Sequence, residues 1–270
     1  MIAALHTELD TALRAMEASF HVQLIGTFGG DLVCAPADAN ASAWLEKNGA
    51  DFDQFPVKQG KETVGVLHRD HASNASLVRD AMQPLREGLV VSADMPITDL
   101  IPQLRESAYR LVLRGASIDG LVTQSDLLKL PVRLVAFGLI THLEQVMADL
   151  INMRWPRDAW LTHLSEGRQN KINDKQRELS GRLINPPLLE LTEFGDKRDL
   201  CKKLVEGNKT KFSDELDDLR DLRDQLAHAA TFVDPSDGQT AVTIFVERFE
   251  NARRWIRDLT ALGTRIRSEE

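Results

Sequence analysis

Cysteine is nearly absent: Cys34 and Cys201 are the two thiols in 270 residues. So few, so far apart, build neither a disulfide framework nor a cysteine-ligated zinc site, and free buried or half-buried thiols are the expectation. Histidines, cysteines and carboxylates never fall at metal-ligand spacing, so no metal is expected. Loops of the GxxxxGK[ST] or GxGxxG type are also missing, which argues against the common nucleoside-triphosphate and dinucleotide chemistries. Apolar runs are short, and the one at residues 134–140 falls well below the roughly 20 residues that a bilayer span needs. The opening MIAALHTELD has no basic region and is not a signal peptide. The expectation is a cytoplasmic protein with no membrane segment. Positive charge is in deficit too: a formal net charge of −8 speaks against a protein that coats nucleic acid without specificity.

What is present is globular. Hydrophobic residues make up 43% and charged ones 27%, and 270 residues suffice for two domains with separate cores. After an amphipathic start (Leu5, Leu9, Leu13, Met16, Phe20), short β-like runs alternate with helical ones up to about residue 130. GDLVCAP reads as a strand and ADANASAWLEKNG as a helix stopped by Gly49; FDQFPV and ETVGVLH read as two strands joined by the turn KQGK. SNASLVRDAM returns to helix. The same order then recurs: EGLVVSADMP as a strand, ITDLIPQLRES as a helix with Ile97, Leu100, Ile101 and Leu104 on one stripe, and the strands AYRLVLRG and SIDGLVTQ around Gly115. A β-α-β-β-α order found twice implies an internal duplication with a period of roughly sixty residues.

These halves, over residues 20 to 130, resemble a tandem pair of CBS domains. The resemblance is carried by DQFPVKQGKETVGVLHRD and YRLVLRGASIDGLVTQSDLL. The second half matches the family pattern at Gly120, Leu121, Val122, Thr123, Asp126, Leu127 and Leu128. The first half departs from it, because GVLHRDH lacks the threonine and has its aspartate one place early. The resemblance implies that Thr123 and Asp126 contact the ribose of an adenosine-type ligand, with an adenine nucleotide as regulatory ligand. Their spacing also suits a helix start, where threonine caps the backbone and an acid complements the dipole.

Beyond residue 130 the β pattern gives way to helices. RLVAFGLITHLEQVMADLINMRW places Leu134, Phe137, Ile140, Leu143, Val146, Met147 and Leu150 on an apolar stripe, with Glu144 beside it. DAWLTHLSEGRQNKINDKQREL is polar and helical, and NPPLLELTEFGDKRDLCKKLV reads as a helix entered at a proline pair. SDELDDLRDLRDQLAHAATF buries Leu216, Leu219, Leu222 and Leu226, and GQTAVTIFVERFENARRWIRDL closes the chain. The expected fold class is α+β: a duplicated β-α-β-β-α pair over 1–130, then an all-α bundle over 131–270.

Arg223, Asp224 and His228 stand outside the leucine stripe. On a helix Asp224 and His228 share a face, so the carboxylate is placed to orient the imidazole, whereas Arg223 lies well around the cylinder from His228. Two copies of the helix meeting at a two-fold axis would gather these groups better than one. A permanent guanidinium charge beside an imidazole that titrates near neutrality suits RNA cleavage without metal, with proton transfer at the 2′-OH by His228 and phosphoryl charge stabilised by Arg223. The segment R-D-Q-L-A-H, late in a helical bundle, resembles the HEPN superfamily. That resemblance implies a homodimeric, metal-independent endoribonuclease, cofactor-free in catalysis, with Glu144 facing the cleft. It further implies a toxin–antitoxin or antiviral setting, with RNA (tRNA included) as substrate and an antitoxin or regulatory protein as partner. Lys197, Arg198, Lys202 and Lys203, near Lys209 and Lys211, form the one conspicuous basic cluster and are the candidates for contacting RNA; a solvated helix face is the plain alternative. The competing function is a non-catalytic nucleotide sensor or scaffold whose helical domain binds a protein.

Overall fold

The computed structural model describes residues 11, 14–71, 77–180, 186–228 and 238–269. It divides into two compact units, one of residues 17–132 and one joining the residues up to Met16 with Arg133 onward. The boundary expected at residue 130 thus lies two residues later. The amino-terminal segment leaves the front half, because Met16 packs on Gly138, where an added Cβ would lie 2.7 Å from its Sδ.

The front unit runs β1 (Thr27–Phe28), β2 (Ala35–Pro36), α1 (Ala41–Asn48), β3 (Gln54–Gln59), β4 (Glu62–His68), α2 (Val78–Ala81), β5 (Gln83–Pro84), β6 (Val90–Ser92), α3 (Ile97–Glu106), β7 (Tyr109–Arg114) and β8 (Ser117–Thr123). These strands make two sheets, β2-β3-β4-β5 and β6-β7-β8-β1, each with one parallel pair and two antiparallel ones. The duplication is close. Each hairpin turns at a glycine with φ +62°, Gly60 and Gly115, and each carries a bulge, after Val57 and after Val112. The Thr63 hydroxyl donates to the carbonyl of Ile118, its counterpart 55 positions on, at 2.8 Å, so the halves meet through equivalent hairpins.

Local chemistry sets these elements. The Asn40 side chain accepts from Ala43 N–H at 3.0 Å and starts α1. Phe55, Val57, Leu67 and Val78 form one core cluster, Val66, Leu111 and Leu121 another, and the expected stripe of α3 is fully buried. Several elements are shorter than their sequence suggests. The strand expected over 30–36 keeps two residues because Gly29–Asp31 form a 3-10 turn, and the one over 87–96 keeps three. The helix expected over 73–82 has four described residues, and residues 73–76 lie outside the described ones.

Gly65 and Gly120 occupy the same place in the two hairpins, and neither has room for a methyl group. A Cβ at Gly65 would come 2.3 Å from the Gln83 carbonyl oxygen, and one at Gly120 would come 2.3 Å from the Phe28 ring. Gly65→Ala is expected to cost about 2–3 kcal/mol and Gly120→Ala less, about 1–2 kcal/mol, because a ring yields where a paired backbone does not. Urea midpoints test this ordering, and equal or negligible losses would refute it.

The helical unit contains most of α4 (Leu130–Arg154), then α5 (Glu166–Leu179), α6 (Phe194–Leu204), α7 (Lys209–Ala227) and α8 (Gln239–Glu269). By length and composition α4 could cross a membrane, which the short run at 134–140 did not suggest; 67% of its most apolar window is buried inside the protein, as in a core helix. Its buried face carries Val135, Leu139, Leu143, Met147 and Ile151, whereas Leu134 and Phe137, expected in the core, are exposed at 46% and 36%. The segment expected as one helix over 158–179 is a 3-10 turn (Ala159–His163) and then α5, because Leu164 and Ser165 are extended. The proline pair does not open α6. Pro187 leads into a 3-10 turn, and α6 starts seven residues after that proline, where the Asp196 carboxylate accepts from Glu193 N–H at 2.9 Å. α7 is capped by Asn208 and buries Phe212 together with all four expected leucines. Phe212 meets Trp255 of α8 edge-on at 4.8 Å, and the Trp255 indole donates to Glu215 at 2.9 Å.

Candidate functional sites

Each unit holds one candidate site. In the front unit a cavity of about 400 Å³ is lined by Thr27, Asp31, Leu32, Val33, the segment Asp51–Gln54, Ala108, Leu121 and the segment Thr123–Asp126. The carboxyl ends of β8 and of the loop before β3 thus meet around one opening. Phe52, 48% exposed, supplies an aromatic wall. Thr123 and Asp126 both line the cavity, but Asp126 is mostly committed internally. Its Oδ2 accepts from Thr123 N–H at 2.6 Å and from the Thr123 hydroxyl at 3.1 Å, and its Oδ1 pairs with Lys129 at 2.7 Å. The helix-start reading therefore describes both residues: Asp126 is 6% exposed, and the Thr123 side chain in turn accepts from the Asp126 N–H. At the equivalent place in the other half the Tyr109 hydroxyl lies 3.1 Å from His68 Nε2. His68 stands where the second half has Thr123, which is the departure visible in GVLHRDH.

Asp31, Asp51, Phe52 and Asp53 were not anticipated. The signal was there in the DFDQ run ahead of β3, but an aspartate–phenylalanine pair before a strand also fits an ordinary loop.

In the helical unit α4, α6 and α7 converge on Glu144. Arg223 Nη1 donates to Glu144 Oε2 at 3.0 Å, and Lys197 Nζ donates to Glu144 Oε1 at 2.9 Å and to the Thr192 carbonyl at 3.3 Å. Arg223 also holds Asp224 (Nη2–Oδ1, 3.0 Å) and lies 5.5 Å from the Phe194 ring centroid, within cation–π range. Three of the four expected catalytic residues therefore form one network, and His228 does not join it. α7 ends at Ala227; His228 is extended and exposed, and its N–H donates to the Asp224 carbonyl at 3.3 Å. The Asp224 carboxylate is engaged by Arg223, so the expected Asp224–His228 side-chain pair is replaced by a backbone bond. Arg133 donates to the carbonyls of Leu226 and His228 and fixes this helix end. Residues 229–237, which follow it, lie outside the described ones.

The basic cluster divides. Lys197 is 5% exposed and faces Glu144, so it cannot meet RNA, and Arg198 is bonded to Asp199 and Asp217. Lys202, Lys203 and Lys209 instead line an open cleft of about 470 Å³ with His163 and Arg168. The Arg168 guanidinium is pushed to higher pKa, first by its hydrogen bonds to Asp196, so its charge is already balanced. The three lysines have no ion-pair partner among the described residues. Burial pushes both thiols up, Cys34 against a smaller pull from Lys58 and Cys201 against Lys197, so neither is an activated nucleophile.

Among solved structures the chain is similar to the CBS domain of a bacterial CNNM/CorC family Mg2+ transporter, at 18% identity over 43% of this chain and 77% of that one, with a TM-score of 0.36. It is also similar to that family's CBS domain in complex with ATP (20%, 45% and 93%, TM-score 0.35) and to CBSX2, the Arabidopsis thaliana protein, in complex with AMP (17%, 43% and 95%, TM-score 0.36). No protein-family model and no curated protein matches the chain. Likeness at this level carries no argument about ligand or activity.

Proposed function

We propose that the front unit is a regulatory module that takes an adenine nucleoside-type ligand in its cavity, and that the helical unit is the effector it controls. The observation that carries this is the cavity itself: an exposed aromatic ring able to stack a base, with the hydroxyl-bearing Thr27 and Thr123 on the same wall. The ligand class comes from the resemblance of GLVTQSDLL to the CBS pattern. Binding to the folded state at a hundredfold excess over Kd stabilises it by about 2.7 kcal/mol, a clear rise in melting temperature. Adenosine or AMP should produce that rise, and Ala108→Trp, which fills the opening from an exposed position, should abolish it. No rise with any adenine compound would end this reading.

A finer reading of the effector is favoured by Arg223, held in a defined position by Glu144 one residue before an acid and five before an exposed histidine. On this reading the helical unit is a metal-independent endoribonuclease, assembled as a homodimer. Arg223 stabilises phosphoryl charge, His228 transfers the proton, and Lys202 and Lys203 take up the RNA backbone. A toxin or antiviral role, with an antitoxin or regulatory protein as partner, follows from the HEPN resemblance. Without the nuclease, the unit is a dimerising scaffold for a protein partner.

A further inference from the structure

The cavity of the front unit has a one-sided wall. Asp31, Asp51, Asp53 and Asp126 line it, and no lysine, arginine or histidine does among the described residues. Asp126 is balanced by Lys129, and Asp53 by Arg69 at 2.5 Å. Asp31 and Asp51 are exposed and have no ion-pair partner among the described residues. A phosphate chain needs the opposite surroundings, either cations or a row of free N–H donors. The short helical turn at the cavity, Gln124–Leu128, does not supply a row of them, since the Gln124 N–H goes to the Ala108 carbonyl at 3.0 Å and the Asp126 N–H to the Thr123 side chain. Ribose hydroxyls, by contrast, donate to carboxylates, and a base needs only an apolar face such as Phe52.

We infer that this cavity selects a nucleoside without a phosphate chain, neutral or positively charged, over the corresponding mono-, di- and triphosphates. The inference rests on the ligand reading proposed above and adds the sign of charge that the site accepts. Two unpaired carboxylates on a concave wall focus a negative potential into the opening, and each added phosphate charge must enter it.

Calorimetric titration of the full chain with adenosine, AMP, ADP and ATP, in EDTA and again with magnesium, tests this. Adenosine should bind tightest, AMP about tenfold weaker and ATP weaker still, with the gap closing as salt rises. Asp31→Asn combined with Asp51→Asn should narrow the adenosine-to-AMP ratio by about threefold or more. ATP binding as tightly as adenosine, with or without magnesium, overturns the inference and leaves the ligand reading standing. A ratio unchanged in the double variant also overturns it. Binding by none of the four overturns both.

Discussion

Glu144→Ala is expected to destabilise the protein by about 2–4 kcal/mol, one of the largest losses available to a single polar substitution in this chain. The reason lies in its partner. Lys197 is 5% exposed, and its ammonium reaches Glu144 Oε1 and the Thr192 carbonyl. Removing the carboxylate strands a charge in a poorly solvated place, and the cost of breaking a buried pair is mostly that stranded charge. Glu144 keeps 24% of its side-chain exposure, so water moderates the penalty and places it below the fully buried limit. Lys197→Met should cost about 1 kcal/mol or less, because it removes the buried ammonium and leaves Glu144 paired with Arg223. The double variant, Glu144→Ala with Lys197→Met, should therefore be more stable than Glu144→Ala alone. Urea unfolding of the four proteins forms a double-mutant cycle. If Glu144→Ala unfolds at the wild-type midpoint, or if Lys197→Met brings no recovery, the network is ornamental. The cycle also separates two roles for Glu144. An acid that acts only in catalysis would lose turnover at unchanged stability, whereas a residue that positions Arg223 loses both, and Glu144→Gln recovers part of each.

The duplicated front half was legible because it repeats. The glycine turns at Gly60 and Gly115, the tight glycines at Gly65 and Gly120 and the Val-rich strands recur with one period. The leucine stripe of α7 was legible for the same reason at period 3.6. What the sequence could not show was which neighbours each face would meet. Over residues 130–140 of α4 Arg133 is the one polar residue, so the periodicity does not distinguish Leu134 and Phe137, which are exposed, from Val135 and Leu139, which are buried. Lys197 read as part of a basic face because its neighbours Arg198, Lys202 and Lys203 are basic. Its burial depends on Glu144, 53 positions away, and no local pattern encodes that. Asp126 illustrates the same limit in reverse: one motif serves a ligand or a helix start, and the bonds from Thr123 and Lys129 show the helix start. His228 was expected inside a helix, and the chain leaves helical geometry one residue too soon for the imidazole to reach Asp224.

His228→Ala is expected to lower RNA cleavage in EDTA by about a hundredfold or more, the loss typical of removing a general acid–base group. His228 is exposed, so the same variant should melt with the wild type, and lost turnover cannot be ascribed to unfolding. Arg223→Ala should be equally inactive but less stable, since it gives up Glu144, Asp224 and the Phe194 ring together. Attack by the 2′-OH breaks the P–O5′ bond and leaves a 2′,3′-cyclic phosphate and a 5′-OH, readable by resistance to 3′-end ligation until the phosphate is opened and removed. The geometry of one chain makes the test sharper. Arg223 is bonded to Glu144 of α4, while His228 lies past the end of α7 and outside that network, so the proposed homodimer would draw the two groups of its cleft from different copies. Mixing the inactive Arg223→Ala and His228→Ala proteins should then restore part of the activity, because a mixed dimer holds one complete pair. Loss of cleavage in each variant with no recovery on mixing would reject the two-copy cleft. Cleavage that persists undiminished in His228→Ala, or that magnesium must sustain, would reject the nuclease and leave the helical unit as a scaffold controlled by the front unit.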